Sequence, residues 1–204
     1  MVFEKLLYAT DGTILSLNVL GKLLATEGLL IEEVVVLSQL PLEKLAESLS
    51  CFEMKFKLYP DEDPSTYRIL EVADKESASF IVAEFQKKTG RIHPDSSART
   101  LIKCASIPAL IINQVEEDKE IFQHMVFATD WSFESEKAFD FLLKLKGIIG
   151  ELEIVHIIRK KLTVRDMRKL NKKLSDTRTT CLNNKIDAEY HIYAGEISEE
   201  IIAA

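Results

Sequence analysis

The chain has 204 residues, 47% of them hydrophobic and 29% charged, with only seven Gly and five Pro. This balance excludes a disordered or low-complexity chain and is enough for one or two domains with buried cores. The net charge of −7 excludes a generally basic nucleic-acid binder. Cys51, Cys104 and Cys181 lie far apart without a CxxC pair, which argues for a reducing compartment and against a disulfide framework or zinc site.

The first residues carry Glu4 and Lys5 where a signal peptide needs an unbroken apolar stretch. No apolar run approaches the ~18 residues of a membrane span. A soluble, cytoplasmic protein is expected. Along the chain, Leu6–Ala9 reads as an apolar strand ending at Asp11, followed by a helix over about 14–27. A buried strand is predicted at Val34–Leu37 and a short helix over 42–49, with Pro41 suited to its first turn. Met54–Tyr59 alternates as a strand does, and Pro64 opens a helix to about Ser77. Phe80–Glu84, a helix over 96–104, and a strand at Ala109–Ile112 complete this half, and the charged stretch after it reads as a linker.

In the second half, a strand at Met125–Thr129 precedes a helix bounded by Ser132 as N-cap and Gly147 as stop, with Ala138, Phe141, Leu142 and Leu145 on one face. A strand at Leu152–Ile158, a long helix over 162–184, a strand at Ala188–Tyr193 and a helix from Glu196 follow. Apolar strands alternating with helices indicate a parallel sheet covered on both faces. The two halves also repeat. Phe3-Glu4-Lys5-Leu6-Leu7-Tyr8-Ala9-Thr10-Asp11 aligns with Phe122-Gln123-His124-Met125-Val126-Phe127-Ala128-Thr129-Asp130 at a constant offset of 119. That period is too long for a solenoid and points to two copies of one domain.

The strand ending in Ala-Thr-Asp, the Ser-rich helix start Trp131–Ala138, the strand Leu152–Ile158, the run Tyr193–Ile201 and the Pro-led strand Ile107–Ile112 together resemble the universal stress protein family. The resemblance implies a parallel sheet of order 3-2-1-4-5, with ATP or AMP bound in some members at the carboxyl end of the sheet. It places the residues closing the first strand of each copy near the adenosine: Ala9, Thr10 and Asp11, and Ala128, Thr129 and Asp130. The family's phosphate loop, G-x2-G-x9-G-[S/T], falls on Glu84–Ser97. Lys87, Gly90 and Ser96 would contribute there, although only one glycine remains and Asp95 replaces another. The second copy lacks this loop.

Other constellations carry less. Tyr8–Thr13 shares Asp-Gly-Thr with a phosphatase motif, but Ala9 stands where that motif needs its nucleophilic carboxylate. His93, His124, His156 and His191 have no metal-like spacing, and His156 and His191, both in strands, read as hydrogen-bonded structural residues; Cys104 reads as a small buried hydrophobe. Between Arg159 and Lys185, ten Lys or Arg face only Asp166 and Asp176, with Met167, Leu170, Leu174 and Cys181 as an apolar stripe. This basic face can be read as a docking surface for an acidic partner, nucleic acid or an anionic membrane; without interleaved aromatics the favoured reading is a solvated face balancing the acidic remainder.

The expectation is therefore an α/β protein of two tandem Rossmann-like (adenine nucleotide alpha hydrolase-like) domains: 1–114, a linker over 115–121, and 122–204. The second would lack its last strands, leaving Met125–Thr129 as an open edge. The expected function is a cytoplasmic stress-response protein that works by binding and dimerisation and senses an adenine nucleotide. The alternatives are a nucleotide-free interaction module and a slow ATP hydrolase. No catalytic residue and no metal are expected. The expected partners are a second copy or the chain's own other domain; neither a membrane nor a nucleic acid is expected.

Overall fold

The computed structural model describes residues 2–10, 14–61, 65–84, 96–112 and 120–203. The chain divides into two compact units, 1–119 and 120–204. In the first, the elements run β1 (Val2–Thr10), α1 (Ile14–Ala25), β2 (Leu30–Ser38), α2 (Leu42–Leu49), β3 (Lys55–Pro60), α3 (Thr66–Glu76), β4 (Phe80–Glu84), α4 (Ser96–Cys104) and β5 (Ala109–Ile112). All strands are parallel, in the order β3-β2-β1-β4-β5.

The central strand explains the sequence pattern. Leu6, Leu7 and Tyr8 are consecutive and fully buried, as a parallel strand covered on both faces requires. On one face Leu7, Ala9, Val35, Leu37, Ile81 and Ala83 form a cluster with Ile69, Val72 and Ala73 of α3 and Leu101 of α4. Alternate residues Leu6, Val34 and Val36 are buried on the opposite face. Helix α3 starts at Ser65, whose hydroxyl accepts the Arg68 N–H, and ends at Ser77 in the left-handed region (φ 53°).

Charge also crosses this sheet. Lys5, Glu33 and Lys55 stand in one register row, and Glu33 bridges Lys5 at 3.0 Å and Lys55 at 3.1 Å. Glu76, at the buried end of α3, accepts from the Lys57 ammonium at 2.7 and 2.8 Å and from the Tyr59 hydroxyl. Lys5 lies 3.8 Å from the same carboxylate. A buried carboxylate is tolerated only when its lone pairs are engaged in this way.

In the second unit β6 (His124–Ala128), α5 (Phe133–Lys144), β7 (Glu151–Ile158), α6 (Val164–Asn183), β8 (Asp187–Ala194) and α7 (Ile197–Ala203) build a parallel sheet of order β6-β7-β8. Ser132 caps α5 by accepting the Ser135 N–H, and Gly147 (φ 86°) turns the chain just beyond the helix end. Gly150 passes within 2.5 Å of the Gln123 carbonyl where a Cβ would stand, so only glycine fits there. Leu170, Leu174 and Cys181 of α6 are buried, as their spacing predicts.

Two expectations are corrected. Ala138 is exposed rather than on the packed face of α5; Phe139 packs instead, stacked on Phe127 with centroids 5.5 Å apart. The larger ring buries more apolar area. Cys104 is exposed, because Leu101 alone carries that turn of α4 into the core. The strands mostly extend a residue or more beyond their sequence-predicted apolar centres, since ladder pairing recruits polar ends such as Glu33 and Asp187.

Glu76 and Glu33 are both held below the ordinary carboxylate range, the first by Lys57 and then Tyr59, the second by Lys5 and then Lys55. A lowered folded-state value stabilises above the ordinary range, and that contribution is lost as pH falls through it. Glu76→Ala should therefore lower the thermal midpoint at neutral pH by several degrees, for a cost of about 2 kcal/mol. The gap between variant and parent should narrow in acid. Melting curves followed by circular dichroism at neutral and acidic pH test this; an unchanged midpoint at neutral pH would count against the network.

Candidate functional site

The expected site residues divide between the units. Ala9 and Thr10 are buried at the carboxyl end of β1, where Ala9 pairs in register with Leu37 and Ala83. Beside them, the Glu84 carboxylate accepts the Tyr8 hydroxyl. Asp11, Lys87 and Gly90 lie outside the described residues, as does the side chain of Ser96, the first residue of α4.

Ala128, Thr129 and Asp130 come together at the carboxyl end of β6. The Thr129 N–H donates to the Val155 carbonyl at 2.9 Å, extending the β6–β7 ladder by one residue. The buried Thr129 hydroxyl then organises the turn. It accepts the Trp131 N–H at 3.1 Å and stands 3.1 Å from the Ser135 hydroxyl. Ser135 in turn donates to the Ser132 carbonyl at 3.1 Å, so the Thr129 hydroxyl proton goes to Ser135. Asp130 accepts the Ser132 N–H at 2.8 Å, closing an Asx turn at the start of α5. The Ser132 contacts hold its carboxyl below the ordinary range.

This turn forces Trp131 into the left-handed region, at φ 56°. A bulky side chain there is strained by about 1–2 kcal/mol. The indole lies 4.8 Å from the His156 ring, and the Lys173 ammonium from α6 lies 4.9 Å from the indole centroid. His156 is set by its own bond, Nδ1 to the Thr129 carbonyl at 2.7 Å. Because a carbonyl only accepts, Nδ1 carries the proton, leaving Nε2 of the neutral ring as an acceptor.

Trp131 and His156 line an open cavity of about 620 Å³, together with Ile158, Leu162, Lys169 and Lys173. Its lining mixes apolar side chains with Arg159, Lys160, Lys169 and Lys173 against one acid, Asp166, a composition that suits a flat, anionic ligand. Among the described residues no group of three or more His, Cys, Asp or Glu is placed to hold a metal ion, and no helix is long and apolar enough to cross a membrane.

Sequence reasoning named Thr129 and Asp130 but missed Trp131, His156 and Lys173 as one cluster. Trp131 adjoins Asp130 in the chain; the other two are brought to it by β7 and α6. Thr129→Val removes the acceptor for the Trp131 N–H and should cost about 1–2 kcal/mol. It should also red-shift the emission of this protein's single tryptophan. Unchanged emission would show that the hydroxyl does not hold the indole.

No protein-family model and no curated protein matches the sequence. Solved structures do match. A universal stress protein from Archaeoglobus fulgidus DSM 4304 superposes with a TM-score of 0.71 at 20% identity, covering 98% of this chain and 81% of its own. A protein from Pseudomonas aeruginosa UCBPP-PA14 provisionally assigned to the same family gives 0.65 at 13% identity, covering 98% and 77%. A protein of unknown function from Pseudomonas aeruginosa PAO1 gives 0.65 at 12%, covering 98% and 76%. With its parallel sheets and alternating helices, this chain has the α/β fold of the universal stress proteins.

Proposed function

We propose that this protein is a cytoplasmic, non-enzymatic stress-response protein of two tandem, homologous domains, which acts by binding an adenine nucleotide and by pairing with a second copy. The observation that carries the reading is the Trp131–His156–Lys173 cluster, a strained aromatic packed on an imidazole under one ammonium at the carboxyl end of a parallel sheet. Open α/β sheets take ligands at that end, and backbone strain collects where a ligand is met.

In this reading the adenine stacks on the Trp131 indole and its exocyclic amine donates to His156 Nε2. Phosphates face Lys169 and Lys173, which line the same cavity. In this reading these cations do the work of a glycine cradle. In the first domain Ala9, Thr10 and Asp11 take the adenosine end, with Lys87, Gly90 and Ser96 toward the phosphates. Pairing between copies uses β5, one of the two edge strands of the described five-stranded sheet.

Because the chain has a single tryptophan, its fluorescence reports on the second domain's site. Titration with AMP should quench it saturably, more tightly than with IMP, which offers no exocyclic amine. His156→Ala should narrow that difference, and Asp130→Ala should weaken both. Nucleotide at about 100 times its Kd should stabilise by about 2.7 kcal/mol, and Asp11→Ala should diminish any part arising in the first domain. Absence of both quenching and a shift in thermal midpoint at millimolar AMP would overturn the nucleotide reading. Metal-dependent phosphate release from ATP would replace it with a hydrolase.

A further inference from the structure

Residues 159–173 contain eight Lys or Arg against one acid, Asp166, and no aromatic residue. The fold supplies the aromatic. It carries Trp131 from the end of β6 to the flank of α6, under Lys173. What reads in the sequence as a bare basic run is thus a basic track with a half-exposed aromatic platform beside it.

The cations take two positions on α6. Lys169 and Lys173 line the cavity, whereas Arg165, Arg168 and Lys172 are exposed and stand opposite the buried stripe of Leu170, Leu174 and Cys181. From Arg165 to Lys172 this outer crest covers about 10 Å of helix. Among the described residues, none of Arg165, Arg168, Lys169 and Lys172 is paired with a carboxylate.

This arrangement works against the helix that bears it. Cations in the first half of a helix oppose its dipole, and like charges four residues apart repel. Arg165 with Lys169, Arg168 with Lys172, and Lys169 with Lys173 are three such pairs. The last turn, where cations would help, has none. Only Asp166 is placed as the dipole prefers, and it is engaged by the Thr163 cap at 2.6 Å. An external polyanion relieves all three repulsions at once.

We propose that the first half of α6 and the Trp131 platform form a binding surface for single-stranded RNA. The crest and the cavity-side lysines hold consecutive phosphates, and one base stacks on the indole. A lone ammonium over a ring in water is held more weakly than a stacked base, so the base displaces Lys173, which turns to a phosphate. An acidic peptide would satisfy the cations but leave the indole unused. A membrane needs an apolar face, and the outer crest of α6 presents charge instead. The crest takes no part in the nucleotide reading, so the two can fail separately.

The test uses the purified full chain and a fluorescein-labelled oligoadenylate RNA, followed by anisotropy across a salt series. Binding should weaken with salt at a log–log slope of about −3.5, for five phosphates at about −0.7 each. Trp131→Ala should weaken it by roughly tenfold and Trp131→Phe should largely keep it. The triple variant Arg165→Glu, Arg168→Glu, Lys172→Glu should weaken it at least as much while leaving AMP quenching of Trp131 intact. Circular dichroism verifies that each variant is folded. Absence of binding at low salt would overturn the proposal. So would indifference to both the tryptophan and crest substitutions, or equally tight binding to polyglutamate or to phosphatidylserine vesicles.

Discussion

Parallel strands cannot be joined by a tight turn. Each must return over a sheet face, and the helices that do so leave every strand's carboxyl end on one side of the sheet. In this protein that constraint buries Leu6, Leu7 and Tyr8 from both faces and carries Thr10 to the rim. It does the same to β6, delivering Thr129 and Asp130 to the rim and fixing β7 beside them in register. His156 reaches Thr129 only because the ladder runs one residue past Ala128 and Val155. The strain at Trp131 follows, since the chain must leave the strand, satisfy the Thr129 hydroxyl and enter α5 within three residues.

The two units treat charge differently. In the first, basic and acidic side chains alternate across the strands, so that Lys5, Glu33, Lys55, Lys57 and Glu76 satisfy one another. In the second, the register row His124–Glu151–Asp187 lies at the amino end of the strands, with Glu153 and Glu189 two residues on. The cations gather beyond the carboxyl end of β7 and on α6. His124 reaches Glu151 at 2.9 Å, but no lysine stands in that row. The carboxyl end also carries acids, with Glu196 3.8 Å from Arg159 and Asp166 lining the cavity beside Lys169 and Lys173, but α6 itself keeps an excess of cations. Mutual neutralisation favours stability, while a local excess of cations favours attraction of an anion. The ligand readings of the second unit concentrate beside that excess.

Most of the fold was legible in the amino-acid order. Fully apolar runs such as Val34–Leu37 and Phe80–Ala83 match strands buried on both faces, and Ser132 was recognisable as a helix cap. The apolar stripe of α6 was equally plain. Local rules failed where neighbouring side chains compete for one buried position, as with Ala138 and Phe139. They failed again where a helix is too short for its apolar face to include every nonpolar residue, as at Cys104.

The sequence by itself determined the parallel α/β architecture and the helix start at Ser132, because strand burial and helix capping depend on residues close in the chain. Only the tertiary structure decided that Trp131, His156 and Lys173 form one cluster, since these residues come from three separate elements. It also decided which lysines of α6 face the cavity and which face solvent. Those outcomes depend on strand register and helix placement, and contacts between residues distant in the chain are set by packing rather than by local propensity.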